Sequence, residues 1–156
     1  MKKLFIMMMM CFISTSVCLA DDHPIPVSSL PQQVHTFLAQ YFNGKGIVYA
    51  EKDRDDGKLR YEVHLSDGTE ITFDKKGNWD KIDCEHGAKV PDELVPQVVL
   101  DAVKANAQQW QGYGTTGDIV LVITKIDHER YGYDVELSNG IEMKINHQGQ
   151  VIGYDD

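Results

Sequence analysis

Cysteine is nearly absent from the working part of this chain. Of three cysteines in 156 residues, Cys11 and Cys18 fall in an apolar N-terminal segment, which leaves Cys84 alone in the remainder. A single thiol makes no internal disulfide, and a chain of this length can bury a core without one. An unpaired thiol is a liability in an oxidising compartment unless it is buried, so Cys84 is expected to be buried and reduced. Long apolar runs are missing too, since the one from Leu4 to Leu19 falls short of a full membrane span. Basic residues are scarce: 15 Lys and Arg stand against 24 Asp and Glu, a net charge of −9. That balance disfavours nucleic acid and anionic lipid. The sequence holds no Gly-x-Ser-x-Gly, His-Glu-x-x-His, phosphate loop or dinucleotide fingerprint. It shows no nucleophile–base pair either, so it reads as a protein that is not an enzyme and needs no cofactor.

The N-terminus has a positive start, Lys2-Lys3, an apolar stretch, and a small residue after Cys18-Leu19 at Ala20. This is the pattern of a secretory signal peptide over residues 1–20. The expected location is periplasmic or secreted, with no membrane attachment after cleavage. Losing Lys2 and Lys3 takes the net charge from −9 to −11, which suits a basic protein partner if there is one.

The positive content is a repeated stretch. Tyr61-Glu62-Val63-His64-Leu65-Ser66-Asp67-Gly68 recurs as Tyr133-Asp134-Val135-Glu136-Leu137-Ser138-Asn139-Gly140. The offset of 72 holds through Gly77 and Gly149 and on to Asp83 and Asp155, as in an internal duplication. Each copy alternates apolar and polar residues, the period of a half-buried strand. Asp67-Gly68 and Asn139-Gly140 read as type I′ hairpin turns. A second strand, a further Gly-bearing turn and a short last strand come next. The inward parity of that last strand is open.

Before the first copy, Pro31 opens a helix with one apolar stripe, Val34, Phe37, Leu38 and Tyr41. Residues 47–52 read as a strand and 53–57 as its turn. The same order recurs: a helix from about Pro96 to Trp110 with Val99, Ala102, Val103 and Ala107 inward, an insertion near 108–117, and a strand over 118–127. The fold class is therefore α+β. Two tandem units, residues 21–86 and 87–156, each contribute a helix and a four-stranded antiparallel sheet.

Some residues invite a metal. Asp53-Arg54-Asp55-Asp56-Gly57 has the opening of a calcium loop, but His64 stands where the late Glu should fall, and an acidic turn is the simpler reading. Cys84-Glu85-His86 offers a thiol and an imidazole two apart, too few ligands for a site. With cleavage after Ala20, His23 becomes the third residue and could close a square-planar copper or nickel chelate. His35, His64, His128 and His147 show no ligand spacing.

The helices occupy one sheet face, so the other stays open. Its strand positions are Arg60, Glu62, His64, Glu70, Thr72, Asp134, Glu136, Glu142 and Lys144, a mostly acidic set. Trp79 or the second face of residues 119–123 could add an apolar anchor. Tyr61, Tyr131 and Tyr133 follow the inward parity. A non-catalytic protein that binds or inhibits a protein partner through this face is the favoured reading. The alternative is a small-ligand carrier or sensor with a pocket between helix and sheet.

The tandem order, the secretion signal and the repeated Tyr-x-Val-x-Leu-Ser-Asp/Asn-Gly strand pair resemble the PepSY-like proteins of the β-lactamase-inhibitor fold, small secreted proteins such as those of Bacteroidetes. The resemblance covers nearly all of Pro26 to Asp155. It implies two sheets joined into one curved sheet, and a binding or inhibitory role without catalysis. No site residue carries over from it.

Overall fold

The structure is a computed structural model that describes residues 23–55, 57–85, 88–107 and 122–155. The expected signal segment at 1–20, His86 and the expected insertion at 108–117 lie outside the described residues. In chain order the elements are β1 (His23–Pro24), α1 (Gln32–Tyr41), β2 (Ile47–Asp55), β3 (Lys58–Leu65), β4 (Glu70–Asp74) and β5 (Trp79–Asp83). Then come α2 (Gln97–Ala107), β6 (Ile123–Glu129), β7 (Gly132–Leu137), β8 (Glu142–Asn146) and β9 (Val151–Asp155). A short 3-10 turn precedes each helix, at Val27–Ser29 and Asp92–Leu94.

All neighbouring strands are antiparallel, and the nine form one open sheet in the order β1 to β9. The seam between its halves is the β5–β6 pair, with Lys81 opposite Asp127, Ile82 opposite Ile126 and Asp83 opposite Lys125. Across this seam runs an unbroken apolar row: Ala50, Val63, Ile71, Ile82, Ile126, Val135 and Met143 are successive register partners. Every member of the row is buried. Val34 and Leu38 of α1 and Val99, Ala102 and Val103 of α2 belong to the same core. Both helices therefore cover one face, as their apolar stripes require. The valine, leucine, isoleucine and methionine side chains of this core contribute about 1.5–3 kcal/mol each on full burial.

The hairpin loops differ from the expected two-residue type. Gly68 N–H donates to Leu65 O at 3.0 Å and Leu65 N–H to Thr69 O at 2.8 Å, so the loop has three residues and ends on a glycine with φ +87°. Gly140, Gly77 and Gly149 repeat this arrangement with Leu137, Asp74 and Asn146. A three-residue loop needs one positive φ where a type I′ turn needs two. The acidic stretch expected to be a turn is instead strand as far as Asp55, which stands opposite Lys58 in the register. Asp53 stands opposite Arg60, and opposite charges across strands favour the longer pairing.

Trp79 and Tyr131 also depart from expectation. A bulge between Thr72 and Phe73 brings Trp79, not Asp80, opposite Phe73. Trp79 is therefore on the helix side, partly buried against the core, with its ring centroid 4.1 Å from that of His128. It is not an anchor on the open face. Tyr61 and Tyr133 do pack on the core, whereas Tyr131 sends its hydroxyl to the Asp134 carboxylate. Cys84 is a buried free cysteine, and burial pushes its thiol pKa up. Of the apolar run 119–123, Val122 and Ile123 are described; Val122 is half-buried and Ile123 is buried.

Candidate functional site

Period-two alternation leaves every second strand residue on the face away from the helices. Register then arranges these residues into two continuous rows. The first is Glu51, Glu62, Thr72, Lys81, Asp127, Asp134, Lys144 and Gly153. The second is Tyr49, His64, Glu70, Asp83, Lys125, Glu136, Glu142 and Asp155. Eight of the expected residues, Glu62, His64, Glu70, Thr72, Asp134, Glu136, Glu142 and Lys144, stand in these rows. Arg60 stands beside them, opposite Asp53 and Asp74. Trp79 alone of the set is on the other face.

The rows are strongly acidic, and the acids are crowded. Glu51 faces Glu62, Asp127 faces Asp134, and Glu136 faces Glu142. Like charges directly opposite one another are unfavourable. Burial pushes the Asp127 carboxyl up to about 6, with Glu129, Asp80 and Asp134 adding to the rise and Lys81 opposing it. Burial also raises Glu62, against His64 and Lys81 and with help from Glu70 and Glu51. Compensation comes locally: Arg60 lies 3.3 Å from Asp80, Lys81 3.5 Å from Asp83, and Lys144 2.5 Å from Asp155.

His64 is partly buried among the carboxylates of the first half's face. Its Nε2 is 2.9 Å from Glu62 Oε1 and its Nδ1 3.2 Å from Glu70 Oε1. The Tyr49 ring lies tilted beside it with centroids 5.4 Å apart, and its hydroxyl donates to Glu51 Oε2 at 2.7 Å. One ligand atom each from Glu51, Glu62 and His64 come within 4.8 Å of one another. Sequence spacing did not reveal this group, because Glu51 reaches it from β2 across the hairpin. The signal available was the pair Tyr49-x-Glu51, in phase with Glu62-x-His64 once the register is known. His23 lies in β1, but its would-be chelate partners, Asp21 and Asp22, are outside the described residues.

An open cleft of about 400 Å³ lies at the seam, lined by Asp83, Cys84, Glu85, Thr124, Glu136, Leu137, Ser138 and Gly140. Neither α1 nor α2 contributes a residue to this lining, so it is not the expected pocket between helix and sheet. Beside Cys84 lies the buried Thr69 hydroxyl, which tempers the rise in the thiol pKa. No described helix is long and apolar enough to cross a membrane.

Comparison with known proteins adds family and fold. The profile of a family described as "Putative beta-lactamase-inhibitor-like, PepSY-like" matches residues 59–153. The profile of the "Peptidase propeptide and YPEB domain" matches residues 29–88. A "putative periplasmic protein" of the DUF2874 family from Bacteroides vulgatus is 32% identical, with a TM-score of 0.73 over 87% of this chain and 98% of that one. A "putative calcium-regulated periplasmic protein" from Bacteroides thetaiotaomicron is 31% identical, with a TM-score of 0.72 over 87% of this chain and 98% of that one. A second Bacteroides vulgatus protein, described as periplasmic and "of unknown function", is 28% identical, with a TM-score of 0.72 over 86% and 99% of the two chains. None of the curated proteins matches.

Proposed function

Because the chain belongs to the PepSY-like family, we propose that it is a periplasmic, non-catalytic binding protein whose open sheet face receives a protein partner with a basic surface. The observation that carries this reading is the pair of unbroken rows. They hold nine carboxylates and three lysines on the face opposite the helices. The Bacteroides neighbours described as periplasmic support the compartment, as does the signal pattern at residues 1–20. The family descriptions, an inhibitor-like protein and a peptidase propeptide, favour a protein as the partner.

The mature chain on this reading is two duplicated units, 21–86 and 87–156, sharing one sheet. Equivalent bulges support it, between Thr72 and Phe73 and between Lys144 and Ile145, as do equivalent turn glycines. Gly77 packs against Gln33 and Val34, and Gly149 packs against Val98. Sheet twist would give the shared face a curve that suits a convex partner. Charge of this density acts chiefly on association rate and is screened by salt.

The test is capture of a partner from periplasmic extract by the native chain and by the triple variant Glu62→Lys, Glu136→Lys, Glu142→Lys. The expected outcome is loss of capture in a variant that keeps its fold. Unaltered capture would move attention to the loops and to residues 108–117.

The seam cleft favours a second reading, a small-ligand carrier, since its volume fits a small ligand and its lining is polar. Native mass spectrometry of protein purified from the periplasm distinguishes the two. A stoichiometric small molecule that Ser138→Trp removes supports the carrier, and its absence leaves the partner face.

A further inference from the structure

We propose that Glu51, Glu62 and His64 bind one divalent cation of the zinc class on the open face of the first half. Register places Glu51 opposite Glu62, and His64 comes two residues later on the same face. Their ligand atoms lie within 4.8 Å of one another. Tetrahedral zinc, with bonds of about 2.0–2.2 Å, sets its ligand atoms about 3.4 Å apart. Side-chain rotations that move each atom by roughly an ångström close the set. Two carboxylate oxygens and one imidazole nitrogen leave a fourth position for water.

Two features outside this triad support it. Glu70, 3.2 Å from Nδ1, can accept the Nδ1–H and hold the imidazole in the tautomer whose Nε2 lone pair faces the triad. A carboxylate in that role commonly orients and strengthens a metal-binding histidine. Tyr49 steadies Glu51 through Oε2 and leaves Oε1 for an ion. The second feature is a difference between the halves. In the second half, Lys125 stands opposite Glu136, and Lys144 opposite Asp134. The corresponding register positions in the first half hold Tyr49, opposite His64, and Thr72, opposite Glu62. Glu51, Glu62 and Glu70 thus gather around one imidazole where the other half supplies two lysines. Lys81, the lysine of the first half's rows, pairs with Asp83 at 3.5 Å, so a divalent cation would supply the charge beside the imidazole.

The imidazole decides the metal. Calcium takes six to eight oxygens, whereas zinc accepts nitrogen and oxygen at four positions. The proposal does not rest on the partner-binding reading, because the ion can bind with no partner present.

The test is calorimetric titration of the metal-free mature chain with zinc, carried out in a His23→Ala background that removes the N-terminal chelate. One equivalent should bind. Glu51→Gln and His64→Gln should each weaken it more than tenfold, and Glu70→Gln about tenfold. An equal concentration of calcium should not compete. Zinc should also raise the urea midpoint of the parent and not that of His64→Gln, a readout that shows each variant to be folded. No binding in the parent, binding unchanged in Glu51→Gln and His64→Gln, or displacement by equimolar calcium would overturn the proposal.

Discussion

Around His64 the sheet assembles three carboxylates, a phenol and an imidazole, whereas 72 positions on, around Glu136, it assembles carboxylates and lysines. The backbone arrangement of the two places is closely similar. His64 stands between Tyr49 and Glu70, and Glu136 stands between Lys125 and Glu142. Antiparallel register determines which positions meet, and side-chain identity then determines how the charge is balanced. The second half balances its acids internally, as Lys144 does with Asp155. The first half pairs Arg60 with Asp80 and Lys81 with Asp83, and sets an imidazole between Glu62 and Glu70. One sheet can therefore present two chemically different ends to whatever lies on it.

The halves also differ in backbone, and this gives the largest effect expected. Where the first half has Arg60, the second has Gly132, with φ +153°. A Cβ there would lie 2.1 Å from Ile145 O and 2.7 Å from Asn146 C. Backbone atoms cannot yield as a flexible side chain would, so Gly132→Ala should cost about 3 kcal/mol in urea unfolding. Arg60→Ala at the matching position should cost no more than about 0.5 kcal/mol, because its ion pair with Asp80 is half-exposed. Equal effects at the two positions would mean that the halves are more alike in backbone than this difference implies.

A smaller effect sits at the seam. The Asp127 carboxyl is raised from an ordinary 3.8 to about 6. Below about pH 4 both folded and unfolded chains hold the proton. As pH rises from about 4 to 6, the unfolded chain releases it while the folded chain keeps it, and stability falls. Above about pH 6 the penalty is complete, and after allowance for solvent screening it is on the order of 1 kcal/mol. Asp127→Asn should therefore stabilise the protein by that amount at pH 7 and leave it unchanged below pH 4. A gain that is equal at both pH values would place its cause elsewhere than in the charge.

Much of this architecture is legible before any coordinates, and the reasons are local. Tyr61-x-Val63-x-Leu65 and its later copy carry a period of two that only a half-buried strand satisfies, so the open-face residues of β3, β4, β7 and β8 follow from parity alone. Trp79 escapes that logic. The extra residue at the Thr72/Phe73 bulge reverses the parity of the positions beyond it, and a bulge leaves little trace in a five-residue strand. The Glu51 contribution was hidden for another reason. Spacing along the chain does not report a cross-strand neighbour until the hairpin register is known. Tyr131 misled because its place just outside β7 continues the strand's alternation while its hydroxyl turns to Asp134.

Association kinetics show whether the acidic open face is the surface a partner meets. A partner recovered from the periplasm should be measured by surface plasmon resonance against the native chain and the Glu62→Lys, Glu136→Lys, Glu142→Lys variant across a range of salt. The association rate should fall steeply with ionic strength for the native chain, and should be at least tenfold lower with a flattened salt dependence for the variant. Identical association rates and salt slopes for the two proteins would mean that the partner binds elsewhere.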